Sequence, residues 1–539
     1  MPLSKREMKE LLGRLPYVAE AYWRILYRGK PLNKKASLQY LRQQIPLWKA
    51  QGQLIPADSS CCRTRSLRIV LFSSYKLWIQ HSALLAIGLA SCGNRVTLAF
   101  MPYVNWRSRI APFDLRMQNA YLKDVLNPLA PNVNVVSLFD IRQRLVRANL
   151  PSTLEAEIEA LSIRDTQYTL QIERFEPHDM TSEAGRLYAL RRERNHLTAM
   201  TAYQWLNEQK PDLILIPNGS ILEFGAVYQA ARFIGIPAIT YEFGEQRQRI
   251  WLAINDEVML QNTDAVWQAH VSQPLQDDQK KRLVALFQAR SQADLWENFS
   301  RRWQGVSRQG AEFVRQQLEL GDKPTFLLAT NVIGDSLTLN RQIFSRSMTE
   351  WIERTIRFFA EHPDTQLIIR IHPGERYTRG PSVKNIVSSI FPSLPGHFRL
   401  VSAEDDINTY DLMEIAHYGL VYTTTTGLEM AMVGLPTIVA GRTHYRNKGF
   451  TLDPGSWDEY IEILEKAIAD PQSYRLSPEQ IEKAWHYANV FFFEYPLPFP
   501  WHLHMKDDHE QWPLHKVFSE EGVRVFGPAF SILCGESMN

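Results

Sequence analysis

Arg68-Ile69-Val70-Leu71-Phe72-Ser73-Ser74-Tyr75-Lys76, followed by the stretch from Leu77 to Ser91 and then by Val96-Thr97-Leu98-Ala99-Phe100, decides the architecture. The opening five residues form an apolar run of strand length, and Ser73 to Lys76 reads as a polar loop. The stretch from Leu77 to Ser91 has helical length, Gly93 closes it, and Val96 to Phe100 is a second strand. A strand, a helix and a strand in this order make a Rossmann-like βαβ opening, and such a unit forces its strands to run parallel. It carries no Gly-x-Gly-x-x-Gly, so nothing at this end points to a bound dinucleotide.

Outward from this unit the alternation continues. Strands are predicted at Val133 to Leu138, Leu213 to Ile216 and Ala238 to Tyr241, with helices near 181 to 208 and 221 to 234. Asn218-Gly219-Ser220 and Glu242-Phe243-Gly244-Glu245 follow two of these strands, at the carboxyl edge where open α/β sheets bind ligands. Residues 273 to 320 are charged and Gln-rich with helical spacing and no strand signal. The alternation restarts at Thr325 to Ala329, with a helix near 346 to 360 whose apolar stripe is Met348, Trp351, Ile352, Ile356 and Phe359. Further strands fall at 366–371, 398–401, 419–422 and 436–440, and the regularity fades past about 480.

Composition bounds the function. Sixty Lys and Arg against 58 Asp and Glu leave +2 on 539 residues, with 45% hydrophobic and 22% charged, which excludes a disordered, fibrous or nucleic-acid-coating protein. Cys61, Cys62, Cys92 and Cys534 show no Cys-x-x-Cys pair and no ligand spacing, so a reducing cytoplasm is expected, with no disulfide framework and no metal site. No signal peptide is recognised, and the best candidate for a membrane span, 419 to 441, is broken by four threonines and Glu429. Residues 1 to 50 carry eleven Lys and Arg against three Glu, so this segment is +8 and the rest −6. Interleaved with Leu12, Leu15, Tyr17, Tyr22, Trp23, Leu26 and Tyr27, these charges suit either a peripheral contact with an anionic membrane surface or a packed helix with a solvated basic face.

The densest chemical signal is Arg370-Ile371-His372-Pro373-Gly374-Glu375, directly after a strand. A histidine there, with Pro373 fixing the turn, can aim its ring into the crevice and donate to a phosphate oxygen. His362-Pro363 is an internal control, lying between a helix and a strand where ending the helix is role enough. Thr423-Thr424-Thr425-Thr426-Gly427 then leads into the helix-forming Leu428-Glu429-Met430, and first-turn amides with hydroxyls make an anion site. Glu429 is placed either to accept from a ribose diol or to serve as an ordinary first-turn carboxylate. A third edge loop carries Arg442, His444, Tyr445, Arg446 and Lys448. Three phosphate-compatible loops on one sheet favour a nucleotide or a phosphate ester.

With these residues in place, His372-Pro373, Tyr410-Asp411-Leu412-Met413, Thr424-Thr425-Thr426-Gly427-Leu428-Glu429, Gly434-Leu435-Pro436, Tyr445 and Gly449-Phe450-Thr451 together resemble the C-terminal lobe of bacterial capsule polysaccharide biosynthesis proteins. Those are GT-B glycosyltransferases similar to the Kdo and sialic acid transferases. The resemblance covers roughly 320 to 470 and the first lobe by architecture alone. It implies two Rossmann-like lobes facing across a cleft and a CMP-linked nucleotide-sugar as co-substrate, with no other cofactor, while the absence of any Asp-x-Asp in the sequence means that a bridging divalent metal is not required. His372 would contact the donor phosphate and Thr424, Thr425 and Thr426 would hold it, with Arg370, Pro373, Glu375, Gly427, Glu429, Arg442 and Tyr445 as further donor-binding candidates. The same resemblance assigns the general base to an acidic turn of the other lobe, matched here by Glu242-Phe243-Gly244, where Phe243 replaces a second acid. Glu242 is the first choice, and Ser73, Ser74, Asn218, Glu223 and Glu245 are acceptor-side candidates.

The division expected is a basic amphipathic N-terminal segment (1–60), an acceptor lobe (61–270), a helical connector (271–320), a donor lobe (321–480) and a C-terminal segment crossing back (481–539). The function expected is transfer of a sugar from a nucleotide-sugar to a surface or capsular polysaccharide or glycolipid, in the cytoplasm or on the inner face of its membrane, with no nucleic acid as partner. Three other readings compete. A CDP-alditol phosphotransferase would need a second histidine, for which His444 is the candidate, an epimerase would turn over donor without acceptor, and an inactive homologue would only bind nucleotide-sugar or glycan.

Overall fold

The computed structural model describes residues 4–55, 66–144, 149–297, 305–504 and 507–535, so that Cys61 and Cys62 lie outside the described residues. The chain forms two compact units, one of Met1–Thr166, Glu176–Met259 and Pro496–Asn539, the other of Gln167–Phe175 and Leu260–Tyr495.

In the first unit, β1 (Arg68–Ser74), β2 (Arg95–Met101), β3 (Val133–Ser137), β4 (Leu213–Pro217) and β5 (Ala238–Glu242) are parallel, in the order β3-β2-β1-β4-β5. The alternation of β1 is the physical reason this sheet has two cores. Ile69 and Leu71 enter one apolar cluster with Leu85 and Leu98, and Val70 and Phe72 enter the other with Ala99 and Ile214. An antiparallel strand, β6 (Arg249–Ile254), extends the sheet beyond β5. The sequence predicts no strand there, because Arg249-Ile250-Trp251-Leu252-Ala253-Ile254 carries no βαβ context; in the structure it is a half-buried strand.

The second unit repeats the plan with β7 (Thr325–Ala329), β8 (Gln366–Arg370), β9 (Phe398–Val401), β10 (Tyr418–Val421) and β11 (Thr437–Val439), all parallel in the order β9-β8-β7-β10-β11. Phe326, Leu328, Leu367 and Ile369 face one cluster, and Leu327, Ala329 and Ile368 face the other. The helix Met348–Ala360, capped by Ser347, buries Met348, Trp351, Ile352, Ile356 and Phe359, the stripe read from the sequence. Two Rossmann-like lobes are therefore present.

The terminal and connecting segments belong to these cores. Helices Lys5–Arg14, Val18–Ile25 and Gln39–Gly52 bury Trp23, Leu41, Ile45 and Trp48 in the first unit. Within the stretch expected as a connector, Asp277–Ser291 and Ala311–Gln317 are helical, and Leu283, Leu286 and Val314 join the core of the second unit. Residues 481 to 495 also stay with the second unit, where Pro478–Asn489 runs into the π-helical turn Val490–Glu494. The chain re-enters the first unit at Pro496, and β12 (Leu497–Pro498) pairs with β6. Among the described residues no helix is long and apolar enough to cross a membrane.

Candidate functional site

In the second unit the strand order reverses between β7 and β10, and a parallel sheet opens a crevice at the carboxyl ends of such a pair. Thr330 and Asn331, directly after β7, tie its neighbours together. Thr330 Oγ1 accepts from the His372 N–H at 3.2 Å, while Asn331 Oδ1 accepts from the Thr423 N–H at 3.1 Å and from its hydroxyl at 3.2 Å. Two consecutive side chains thus hold the loop after β8 and the loop after β10 on either side of the reversal point. Neither was singled out from the sequence, where an Asn after a strand is an ordinary turn signal.

His372 Nδ1 accepts from the Gly374 N–H at 3.0 Å, which in a neutral ring puts the proton on Nε2. In the threonine loop, Thr424 Oγ1 donates to Thr426 Oγ1 at 3.1 Å and Tyr445, fully buried, donates from its hydroxyl to the Thr424 carbonyl at 2.7 Å. The expectation of unpaired first-turn amides is corrected here. The Thr426 N–H goes to Thr424 Oγ1 at 3.3 Å and the Gly427 N–H to the Thr424 carbonyl at 3.1 Å, which leaves the hydroxyls of the half-buried Thr425 and Thr426 as the polar face.

Four further donor-side expectations meet competing partners. Arg370 is buried, giving Nη1 to the Ser402 carbonyl at 2.7 Å and Nε to Thr409 at 3.3 Å, and burial lowers its pKa to about 10, so it remains charged but committed to the β9 side. Glu429 forms a buried ion pair with Arg290 at 2.6 Å instead of facing a ribose. Glu375 accepts from the Val383 N–H at 2.7 Å, and burial lifts its carboxyl to about 7. On the third loop, Arg446 donates to the carbonyls of Val439, Asp453 and Pro454, and Lys448 pairs with Asp264. Among the described residues this leaves the exposed Arg442 as the loop's cation without an internal side-chain bond. His444 is stacked on Phe491 at 3.7 Å with Nδ1 3.1 Å from the Tyr487 hydroxyl, and burial holds its pKa well below the usual histidine range. The second histidine that a phosphotransferase would need is therefore a core residue.

In the first unit the reversal lies between β1 and β4, and the backbone there is strained. Tyr75, Asn218 and Leu222 adopt φ of 60, 58 and 55°, a region non-glycine residues rarely occupy. Asn218 Oδ1 accepts from the Ser220 N–H at 3.1 Å and hydroxyl at 2.9 Å, which turns its Nδ2 onto Glu242 Oε2 at 2.8 Å. Burial pushes Glu242 up to about 7, opposed by the Asn218 bond and by the Phe243 amide, which donates at 3.0 Å. Phe243 has an apolar reason to stand where the resemblance expects an acid. Its ring lies 4.9 Å from His81, 5.1 Å from His502 and 6.2 Å from Phe499, inside a cluster shared with the C-terminal segment.

The remaining acceptor-side candidates divide. Glu223 is fully buried, paired with Arg191 at 3.0 Å and accepting from the Tyr75 hydroxyl at 2.5 Å. The arginine charges nearby hold its carboxyl below the usual range despite burial, so it is a fixed counter-ion, and its expectation as an acceptor-side residue is corrected. Ser73 and Ser74 are buried, Ser74 donating to the Met101 carbonyl at 3.4 Å, and neither presents a hydroxyl to solvent. Glu245 is half-buried on the turn beyond Glu242.

Residues 289–475 match the family described as capsule polysaccharide biosynthesis protein. The match spans about a third of the chain. Among solved structures, the chain is similar to a beta Kdo 2,4 transferase, KpsC, of Thermosulfurimonas dismutans, at 15% identity over 54% of this chain and 82% of that one, with a TM-score of 0.33. It is also similar to the beta Kdo 2,7 transferase of the same KpsC, at 12% identity, 56% and 82% coverage and a TM-score of 0.32. A UDP-GlcNAc 2-epimerase from Neisseria meningitidis bound to UDP-GlcNAc is similar at 13% identity, 79% and 100% coverage and a TM-score of 0.27. No curated protein matches the sequence.

The matched segment contains both loops that Thr330 and Asn331 join, and Arg442 and Tyr445 with them. Glu242, Asn218 and the strained edge of the first unit lie outside it. Among the described residues no group of three or more His, Cys, Asp or Glu could hold a metal ion.

Proposed function

We propose that the protein is a glycosyltransferase of capsule or other surface polysaccharide synthesis, taking its sugar from a nucleotide-sugar that the resemblance implies is CMP-linked. The observation that carries the reading is that the adjacent Thr330 and Asn331 hold the His372 turn and the Thr423–Thr426 loop on the two sides of the reversal point of the second sheet, inside the matched segment. A ring donor, two hydroxyls and the exposed Arg442 suit a phosphate that gains charge as the glycosyl bond breaks. No Asp-x-Asp occurs in the sequence, and charge neutralisation falls to these side chains, with no bridging metal required.

The acceptor hydroxyl must lose a proton as it attacks the anomeric carbon. Glu242 is the base proposed, because burial places its pKa near the pH at which a carboxylate both exists and binds a proton well. Pro373 fixes the turn behind His372, and Tyr445 fixes the Thr424 carbonyl. The location proposed is the cytoplasm, with peripheral contact at the inner face of its membrane. Tyr17, Ile25 and Leu26 are 80, 71 and 70% exposed, next to exposed Arg14, Arg24, Arg28 and Lys30.

Calorimetric titration with CMP, CDP, UDP and GDP tests the donor side, on wild type and His372→Ala. One nucleotide should bind, and the substitution should weaken it by more than about tenfold, or about 1.4 kcal/mol. If no nucleotide binds at millimolar concentration, the phosphate site does not exist and the transferase reading fails.

A further inference from the structure

The C-terminal segment carries Trp501-His502-Leu503-His504, a run that the donor and base assignments leave unused. It lies in the first unit, where the chain has re-entered at Pro496 and paired β12 with β6. His502 is half-buried, and its backbone N–H and both ring nitrogens are engaged. The backbone N–H goes to Asp508 Oδ2 at 2.8 Å. The ring stacks on the His504 ring at 5.4 Å and 26°, and Nδ1 accepts from the His504 N–H at 3.3 Å. The neutral ring therefore carries its proton on Nε2, and that N–H donates to the Gly244 carbonyl. Burial, with the neighbouring His504 and Arg247, lowers its pKa to about 4, so the ring stays neutral and keeps this donor around neutral pH.

Gly244 belongs to the turn that bears Glu242. Two donors hold the Glu242 carboxylate, Asn218 Nδ2 on Oε2 and the Phe243 N–H on Oε1, and the second of these is part of the turn itself. The placement of residues 243 and 244 therefore decides whether the carboxylate keeps that bond. Trp251, which faces Glu242 across the β5–β6 ladder, closes on Gly244 so tightly that a methyl there would lie 2.9 Å from the indole. His502 takes the Gly244 carbonyl and also meets the Phe243 ring edge to face at 5.1 Å. The other histidine on Phe243 is the fully buried His81, at 4.9 Å, whose pKa burial lowers to about 3. Phe243 is thus packed against two neutral imidazoles, and one of them gives its single donor to the next residue of the turn.

We infer that His502 is a positioning residue for Glu242, holding the Glu242–Gly244 turn by the Gly244 carbonyl and the Phe243 ring so that the Phe243 N–H stays on the carboxylate. A reactive side chain keeps its geometry only when a surrounding shell holds the backbone that carries it. Without the His502 donor, the Gly244 carbonyl turns to water, the turn opens, and water reaches Glu242. The consequence for catalysis rests on the reading of Glu242 as the base, whereas the hold on the turn does not.

The test needs no substrate. Because the Phe243 amide donates to Glu242 Oε1, its magnetic resonance signal reports the charge on that carboxyl. In the full chain carrying isotope-labelled phenylalanine, one amide signal should titrate with a midpoint at about 7 and lose that titration in Glu242→Gln. Of the titratable groups around the turn, burial keeps His81 and His502 neutral and Tyr241 protonated, and the Glu242→Gln control separates Glu242 from Glu245, Arg247, His504 and Asp508. His502→Ala should lower the midpoint by at least about one pH unit, a tenfold change in proton affinity. His502→Gln, whose side-chain N–H can stand in for Nε2, should keep it near that of wild type. Should His502→Ala not fold, His502→Phe keeps a ring against Phe243 and removes the donor, and the same fall is expected of it. An unchanged midpoint in the donor-free variant, or an equal fall in His502→Gln, would overturn the inference. A wild-type signal that titrates through Glu242 but ignores His502 defeats the positioning role and leaves the base standing. No such titration in wild type defeats the base, and this inference with it.

Discussion

At the scale of single residues, Glu242 gives the sharpest test because one carboxyl governs two observables with opposite pH trends. Its pKa is raised to about 7 by burial, from a reference of 4.5. As the proposed base it would work only when deprotonated, so transfer activity should climb with pH through about 7. Glu242→Gln should cost about 10² to 10⁴ in rate and flatten that limb. Stability runs the other way. A folded-state pKa above the unfolded one means the fold favours the protonated carboxyl, so its contribution is fully present below about 4.5 and is lost as pH rises through about 7. The substitution should therefore leave stability unchanged or raised at pH 8, and lose more of that advantage at acid pH, by denaturant titration. A carboxylate held charged by a cation would show the reverse order, as Glu223 beside Arg191 should.

At the scale of elements, the helix Thr426–Met432 and the third edge loop are locked by one close approach. A methyl on Gly427 would lie 2.4 Å from the Tyr445 hydroxyl and 2.9 Å from Val421, so only glycine lets Tyr445 reach the Thr424 carbonyl. Gly427→Ala should destabilise the second unit by about 1 to 3 kcal/mol through overpacking and weaken nucleotide binding together with it. Tyr445→Phe, which keeps the packing, should cost only about 1 kcal/mol through one lost hydrogen bond. Calorimetry of both variants, with and without nucleotide, checks the pair. These elements were legible in the sequence because their signals are local. The strands announce themselves by alternation, the helix Met348–Ala360 by its stripe, and the Gly after four threonines by position. What stayed hidden is long-range pairing. Glu429 looked free to meet a ribose because its partner Arg290 stands far back in the chain, on a helix read as connector. Arg191 and Asp165 left no pattern on two long helices, yet with Glu223 and Tyr75 they set the edge of the first sheet. His444 failed as a site for the same reason, since the residues that bury it, Tyr487 and Phe491, come from a segment with no regular period.

At the scale of the whole molecule, charge and apolar exposure coincide at one end of the chain. The first fifty residues are +8 in a protein of +2, and their helices bury one face in the first unit while leaving Leu11, Leu15, Tyr17, Ile25 and Leu26 exposed. A helix that only packed against its unit would turn these residues inward, and one that only solubilised it would not carry them. Tyr17 stands at φ 63° between Lys5–Arg14 and Val18–Ile25, so the turn that bears the most exposed ring is also a strained one. Such a surface suits a shallow seat in the headgroups of an anionic bilayer, where each Lys or Arg near the surface adds about 1 kcal/mol and each inserted side chain adds part of the roughly 1.5 to 3 kcal/mol of full burial. The protein should therefore float with vesicles containing phosphatidylglycerol and stay behind with phosphatidylcholine alone. Raising salt should weaken the first association without abolishing it, because the Debye length shrinks from about 10 Å at 0.1 M to about 3 Å at 1 M while the apolar part persists. Ile25→Ser with Leu26→Ser should remove the salt-resistant fraction, and Arg24→Gln with Arg28→Gln the salt-sensitive one. Equal flotation of wild type and both variants would mean that another surface makes the contact, and no flotation at all would return these helices to the role of a solvated cover on the first core.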